Sequence, residues 1–242
     1  MNDDWTSSNG PAVVTFIGDV HGWSDRLERV VAQAEGELIF MGDLIDRGPD
    51  SKGVIKRVRA LCEQGRARCL MGNHEWALCR SISAPGVPPM PDLFESWTSM
   101  WGGAAVLDSY RVGDPQGLRI AMGDDLAWVA ALPWVINGGA APYNWIAVHA
   151  GLSEESSAAD QLVALEQGWQ IEQGDRPMAL FSKDLLDTRP QGLFPTTCIV
   201  SGHTPIPTPI VTPGRILCDT SGGRPQRPLT GVIWPSGRVI QS

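Results

Sequence analysis

Hydrophobic positions in the first third of the chain switch between two periods. Val13 to Ile17 is an unbroken run of β-branched and aromatic residues, the pattern of a strand buried on both faces. Ser24 then has N-cap chemistry. Leu27, Val30, Val31 and Ala34 follow at helical spacing until Gly36. Leu38 to Met41 predicts a second strand. Val54, Ile55, Val58, Leu61 and Cys62 predict a second amphipathic helix ending near Gly65, and Arg68 to Met71 a third strand. The order β-α-β-α-β, with right-handed crossovers, makes a parallel sheet with helices covering it.

The pattern changes between about Ser81 and Pro142. Ala84 to Pro91 is proline-rich and reads as a loop. Leu93 to Tyr110 and Leu126 to Leu132 read as helical, separated by a turn at Gly113 to Pro115 and a short strand near Leu118 to Met122. An insertion of this kind between motif-bearing strands forms a cap or wall over a site. Trp97 and Trp101, spaced i, i+4, make an aromatic packing ridge on a helix. Strand signals return at Trp145 to Val148, Thr197 to Val200, Ile216 to Cys218 and Val232 to Trp234, and Pro205 to Pro213 reads as an extended surface loop. Residues 1–242 therefore read as one α/β domain with a helical, cap-like insertion at about 81–142.

Composition narrows the partners. A formal net charge of −8 repels polyanions, which excludes a broad duplex nucleic-acid surface but leaves room for a local phosphate pocket. Cys62, Cys69, Cys79, Cys198 and Cys218 are odd in number and have no metal or redox spacing, so reduced thiols in a cytoplasmic protein are expected. Met1 to Pro11 is polar and acidic, without the features of a signal peptide. No apolar run reaches membrane-spanning length, and no membrane partner is expected.

Candidate chemistry changes the picture most. All four histidines lie in short glycine-flanked motifs: Gly18-Asp19-Val20-His21-Gly22, Gly72-Asn73-His74-Glu75, His149-Ala150-Gly151 and Gly202-His203-Thr204. A fifth motif is Gly42-Asp43-Leu44-Ile45-Asp46-Arg47-Gly48. Each follows a predicted strand, and open α/β sheets place ligands outside the carboxyl ends of their strands. Two divalent ions roughly 3.5–4 Å apart need a bridging carboxylate, and mixed oxygen and imidazole donors suit manganese, with iron or zinc as alternatives. Asp43 is the candidate bridge. Asp19 and His21 would complete one ion, and Asn73, His149 and His203 the other. A hydroxide held between the ions would attack phosphorus in line. His74 adjoins a ligand and is better placed as the general acid, oriented by Asp46, while Arg47 offers a fork of donors to phosphate oxygens.

The ordered set GDVHG, GDLIDRG, GNHE, HAG and GHT resembles the calcineurin-like metallophosphoesterases, in particular the phosphoprotein phosphatase branch with its bacterial and phage serine/threonine phosphatases and symmetrical diadenosine tetraphosphatases. The resemblance implies a four-layer α/β/β/α sandwich with a dimetal site at the strand carboxyl ends. It also implies Asp19, His21, Asp43, Asn73, His149 and His203 as metal ligands and His74 with Asp46 as the acid pair. The stretches Trp101-Gly102-Gly103 with Ser109-Tyr110, and Asp219-Thr220-Ser221-Gly222 before Leu229-Thr230-Gly231, are family-like too. Three positions depart from the pattern. Met71 stands where many relatives carry an arginine. Lys183, or else Arg189, occupies the region of a second phosphate-binding arginine. Pro205 replaces the second histidine of the nuclease and phosphodiesterase branches.

The leading expectation is removal of phosphate from phosphoserine or phosphothreonine proteins or small phosphomonoesters; the alternative is symmetrical hydrolysis of a dinucleoside tetraphosphate. A polyphosphate needs extra cations and a stacking surface. Residues 81–101 are poor in Lys and Arg, although Trp76, Trp97 and Trp101 are candidates to stack a base.

Overall fold

The computed structural model describes residues 13–139, 143–170 and 177–242; the polar N-terminal stretch read above lies outside them, as does the end of the 81–142 segment. Among the described residues, ten strands form two five-stranded sheets. In the first, β1 (Val14–Ile17), β2 (Glu37–Phe40) and β3 (Ala67–Cys69) are parallel, as the alternating pattern predicts. The second contains β4 (Val135–Gly138), β5 (Trp145–Val148), β6 (Cys198–Ser201), β7 (Ile210–Thr212) and β8 (Arg215–Leu217), in the order β4-β5-β6-β8-β7. Its centre, β5-β6-β8, is also parallel. β9 (Thr230–Trp234) returns antiparallel beside β1, and β10 (Arg238–Gln241) closes that edge. β4, β7 and β10 lie at sheet edges and are only partly buried, so they lack the continuous apolar run that marks β1, β2, β5 and β6 in the sequence.

The two sheets face each other through one apolar layer. Val14, Phe16, Ile39, Met41 and Leu70 meet Ile136, Trp145, Ala147, Val200 and Ile216, all buried. Residues of opposite parity, such as Ile17, Leu38 and Phe40, point outward beneath α1 (Ser24–Val31) and α2 (Ser51–Glu63), where Leu27, Val30, Val54, Ile55 and Val58 cover them. Ile146, Val148 and Ile199 do the same on the far side under Leu152, Leu165 and Leu180. The result is a helix–sheet–sheet–helix stack.

Between β3 and β4 the chain forms α3 (Asn73–Ser81), α4 (Leu93–Ser96), a π turn (Trp97–Trp101), α5 (Ala104–Tyr110), α6 (Pro115–Met122) and α7 (Asp124–Ala130). The strand expected near Leu118 to Met122 is instead α6. Asp114 caps it by accepting from Gly117 N, and Pro115 sits at the first helical position, a start signal that outweighs the short apolar run. The expected helix from Leu93 to Tyr110 is broken at Gly102, which is left-handed (φ 97°). No helix among the described residues is long and apolar enough to cross a membrane.

Candidate active site

The carboxyl ends of the central parallel strands of both sheets lie along one edge, and the turns leaving them carry the motif residues. β1 leads into Asp19 and His21, β2 into Asp43, Asp46 and Arg47, β3 into Asn73 and His74, β5 into His149, and β6 into His203. Asp19, His21, Asp43, Asp46, Asn73, His74 and His149 are buried, and His203 is half-buried. Asp43 is central. One of its oxygens lies 3.4 Å from His149 Nε2, and the other 3.7 Å from both His21 Nε2 and His74 Nε2. Two clusters of donor atoms therefore share Asp43: His21, Asp43 and His74, and Asp43, His149 and His203.

The histidine tautomers follow from their partners. His21 Nδ1 is 2.8 Å from the Ile45 carbonyl, His149 Nδ1 is 2.6 Å from the Met41 carbonyl, and His203 Nε2 is 3.0 Å from the Phe181 carbonyl. A carbonyl only accepts, so each of these nitrogens carries the proton and the opposite nitrogen turns a lone pair inward. The consequence is clearest around Asn73. Its Oδ1 sits 2.9 Å from His149 Nε2 and 2.9 Å from His203 Nδ1. Three electron-pair donors thus meet with no hydrogen to share, an arrangement that a cation resolves. These residues fit a divalent ion.

Electrostatics agree. Burial, then the carboxylates of Asp219 and Asp43, push the pKa of Asp19 well above its ordinary value, as expected for acids crowded together where positive charge is wanted. Burial opposes ionisation of Asp43, but His149, His74, His21 and His203 overcome it and hold its pKa low. Burial, with His149 nearby, pushes His203 down to about 4, and burial with His74 lowers His21; both stay neutral and able to donate lone pairs near neutral pH.

His74 differs from the other three. Its Nδ1 lies 2.5 Å from Asp46 Oδ2, and its Nε2 faces the groove 3.1 Å from Arg47 Nη2. Burial works against the imidazolium, yet Asp43 and then Asp46 outweigh it, so its pKa lies above the ordinary value of 6.5. A buried histidine whose protonated form is favoured by two acids is suited to giving up a proton. Arg47 donates to the Gly222 carbonyl at 2.7 Å, and its Nη1 also lies 2.9 Å from His21 Nε2. Its fork is thus held within the site between two imidazoles rather than extended alone into solvent.

These residues open into a groove of about 820 Å³ whose lining includes Asp43, Asn73, His74 and His203 at its floor and Arg47, Lys183 and Arg224 as cations. Trp23, Met100, Trp101 and Phe181 supply its apolar walls. Lys183 is therefore at the site, whereas Arg189 is not. The Arg189 guanidinium donates to the carbonyls of Phe194 and Thr197, at 2.6 and 2.9 Å, and pins that loop together. Of the three tryptophans considered for base stacking, Trp76 and Trp97 are fully buried and only Trp101 reaches the groove.

Sequence reasoning gave no role to two residues that hold the site together. Glu75 accepts N–H bonds from Asp43 (2.8 Å), Leu44 (2.8 Å) and Gly72 (3.1 Å), tying the β2 and β3 turns to each other. Burial, with Asp43 close by, raises its pKa to about 8 against the pull of its N–H donors. Asp219, leaving β8, accepts from Ser221 N and Gly222 N and shapes the turn that carries Gly222, Gly223 and Arg224 to the groove. The signal for it was present: Asp219 directly follows a strand, as every other motif does.

The profile of the calcineurin-like phosphoesterases matches residues 12–228 of the chain. A symmetrical bis(5'-nucleosyl)-tetraphosphatase of Janthinobacterium sp. (strain Marseille) is 28% identical over 202 residues, covering 78% of this chain and 64% of the relative. A second protein of that description, from Ralstonia nicotianae, is 48% identical over 61 residues, 24% of this chain and 22% of the relative. The chain thus spans less than two thirds of the curated relatives it matches. A cold-active protein-tyrosine phosphatase of a Shewanella psychrophile superposes with a TM-score of 0.59 at 17% identity, over 96% of this chain and 78% of the other, a likeness of fold alone.

Proposed function

The chain belongs to the calcineurin-like phosphoesterase family, and from that premise we propose that this metal-dependent phosphatase hydrolyses a phosphoanhydride in a dinucleoside polyphosphate, cleaving a tetraphosphate symmetrically. The observation that carries this reading is the groove. In a chain of net charge −8, three cationic side chains, Arg47, Lys183 and Arg224, line one cleft together with Trp23 and Trp101. A single phosphoryl group needs about one guanidinium fork, whereas a polyphosphate needs positive charge spread along its length and an aromatic surface for its base. The monoesterase expectation rested on the scarcity of cations in residues 81–101. The cations that matter come from other segments, Arg224 among them. The 64% span over the Janthinobacterium tetraphosphatase supports the same substrate class.

Asp19, His21, Asp43, Asn73, His149 and His203 would hold two divalent ions, with manganese the first to try. When bound, such ions supply Lewis acidity toward phosphoryl oxygens and lower the pKa of the attacking water. The chain's own residues do the rest. Asp43 sits between the two donor clusters, Arg47 and Lys183 grip nonbridging oxygens, and His74, oriented by Asp46, delivers a proton from Nε2 to the departing oxygen. The helical segment between β3 and β4 walls one side of the groove through Met100 and Trp101.

The test is a side-by-side measurement. Metal-stripped protein reconstituted with manganese is assayed on diadenosine tetraphosphate, p-nitrophenyl phosphate and a phosphopeptide. The proposal expects the highest kcat/KM on the dinucleotide, with ADP as the sole nucleotide product. Higher efficiency on the phosphopeptide would return the function to a serine/threonine phosphatase.

A further inference from the structure

The π turn and the residues after it touch Asp46, His74 and Arg47, although none of them carries reactive chemistry. Trp97 Nε1 donates a 2.8 Å hydrogen bond to Asp46 Oδ2, the same oxygen that faces His74 Nδ1. Asp46 Oδ1 is buried with no hydrogen-bond partner among the described residues, so the carboxylate is oriented through Oδ2. Trp101 sets its ring edge-on to His74 with centroids 5.8 Å apart, and the Gly102 carbonyl accepts from Arg47 N at 3.2 Å.

Packing makes this arrangement stiff. A Cβ on Gly103 would fall 2.4 Å from the Trp97 indole, and one on Gly102 would fall 2.9 Å from Arg47 Cγ, so the two glycines let the backbone close directly over both side chains. A merely structural indole has no need of a carboxylate. Trp134 and Trp234 in the same protein leave buried Nε1 atoms with no hydrogen-bond partner among the described residues. Trp97 instead aims its single donor at the acid that orients His74.

We propose that Trp97 is a positioning residue that acts through Asp46 to hold His74 in its proton-donating orientation, and that the turn from Trp97 to Gly103 couples the helical segment between β3 and β4 to protonation of the leaving group. Oδ2 has one donor on each side. With Trp97 in place the carboxylate cannot swing away from His74, and Nε2 keeps its aim into the groove. The inference rests on reading His74 and Asp46 as the acid pair but not on the identity of the natural substrate.

The experiment compares two aryl esters on the manganese-loaded protein. p-Nitrophenolate departs without help, whereas phenolate requires a proton. Trp97→Phe keeps the ring and removes the N–H. It is expected to lower kcat on phenyl phosphate about tenfold, the effect of losing one hydrogen bond to a charged group, while kcat on p-nitrophenyl phosphate, KM and bound metal stay within about twofold. Gly103→Ala, which displaces the indole without deleting it, is expected to reproduce the same selectivity. In an Asp46→Asn background, Trp97→Phe should add less than a further twofold loss, because the residue through which it acts is already disabled.

Equal losses on both esters, or an undiminished Trp97→Phe effect in the Asp46→Asn background, would overturn the proposal. His74→Asn, run in parallel, separates the two levels. If His74→Asn is selective for phenyl phosphate and Trp97→Phe is not, only this inference fails. If His74→Asn is unselective, the acid assignment fails and takes this inference with it.

Discussion

The strand-end turns and the helical segment between β3 and β4 solve opposite problems. The turns place reactive atoms by accepting backbone strain. His21, Asp43, Asp46, Arg47 and His203 all have positive φ, between 49° and 72°, a conformation that costs non-glycine residues about 1–2 kcal/mol each. Five such residues persist because hydrogen bonds from elsewhere hold them: His21 N to the Asp43 carbonyl, Asp43 N to Glu75, Asp46 N to Ser51 Oγ, Arg47 N to the Gly102 carbonyl, and His203 N to Asp19. The helical segment has almost no such strain at the site. It contributes through packed rings and one indole N–H. Chemistry is thus built where the backbone is over-determined, and control of orientation and access is built where it is relaxed.

The largest effect should come from the most central position. Asp43→Asn is expected to abolish binding of both ions and, with it, turnover; elemental analysis showing two ions per chain in this variant would break the bridging assignment. His74→Asn comes next. Turnover should fall by roughly 10²–10⁴-fold, the usual contribution of a general acid, while metal content stays intact, the outcome that the proposed proton-donor role requires. Full activity in this variant would remove the distinction between His74 and the other histidines.

A smaller effect is expected in the pH profile. Asp43 and then Asp46 hold the His74 pKa above 6.5 against burial. The protonated, active form exists below that pKa and is lost as pH rises through it. Asp46→Asn removes one of the two acids, so the alkaline limb of kcat/KM should move to lower pH, and an unmoved limb would break the pairing. The metal-free protein offers the converse sign. His203 refuses a proton down to about pH 4, whereas the unfolded chain takes one up near 6.5. Its contribution should therefore make denaturant midpoints fall as pH drops through that window, with His203→Asn flattening the slope.

The smallest effect belongs to the exposed rim of the groove. Arg224→Ala should raise KM for diadenosine tetraphosphate by roughly three- to tenfold, as for a partly solvated charged contact, and leave p-nitrophenyl phosphate unaffected. Equal loss on both substrates would move Arg224 from a rim contact for polyphosphate to a structural support of the site.

Much of this was legible along the chain because its signals are local. Strand runs such as Val14–Ile17, the helix from Ser51, and the glycine-flanked motifs each depend on a handful of neighbouring residues, and each motif residue lies within a few positions of its strand end. α6 reads as a strand because Leu118, Ile120 and Met122 alternate, but three apolar residues in a short window cannot outvote an Asp-Pro helix start. Arg189 was a candidate because sequence position says nothing of direction, and its guanidinium turns to backbone carbonyls instead of the groove.

The sequence by itself determined the order of elements, the residue types at the strand ends, and hence the class of reaction, since spacing within each motif decides which donors a short turn can present. Only the tertiary structure decided which distant residues meet: Glu75 bridging two turns, Trp97 reaching Asp46 across 51 positions, and Lys183, Arg224 and Trp23 sharing one groove. The physical reason is that these contacts are set by how the two sheets and the β3–β4 helices pack, a long-range outcome that no local period encodes.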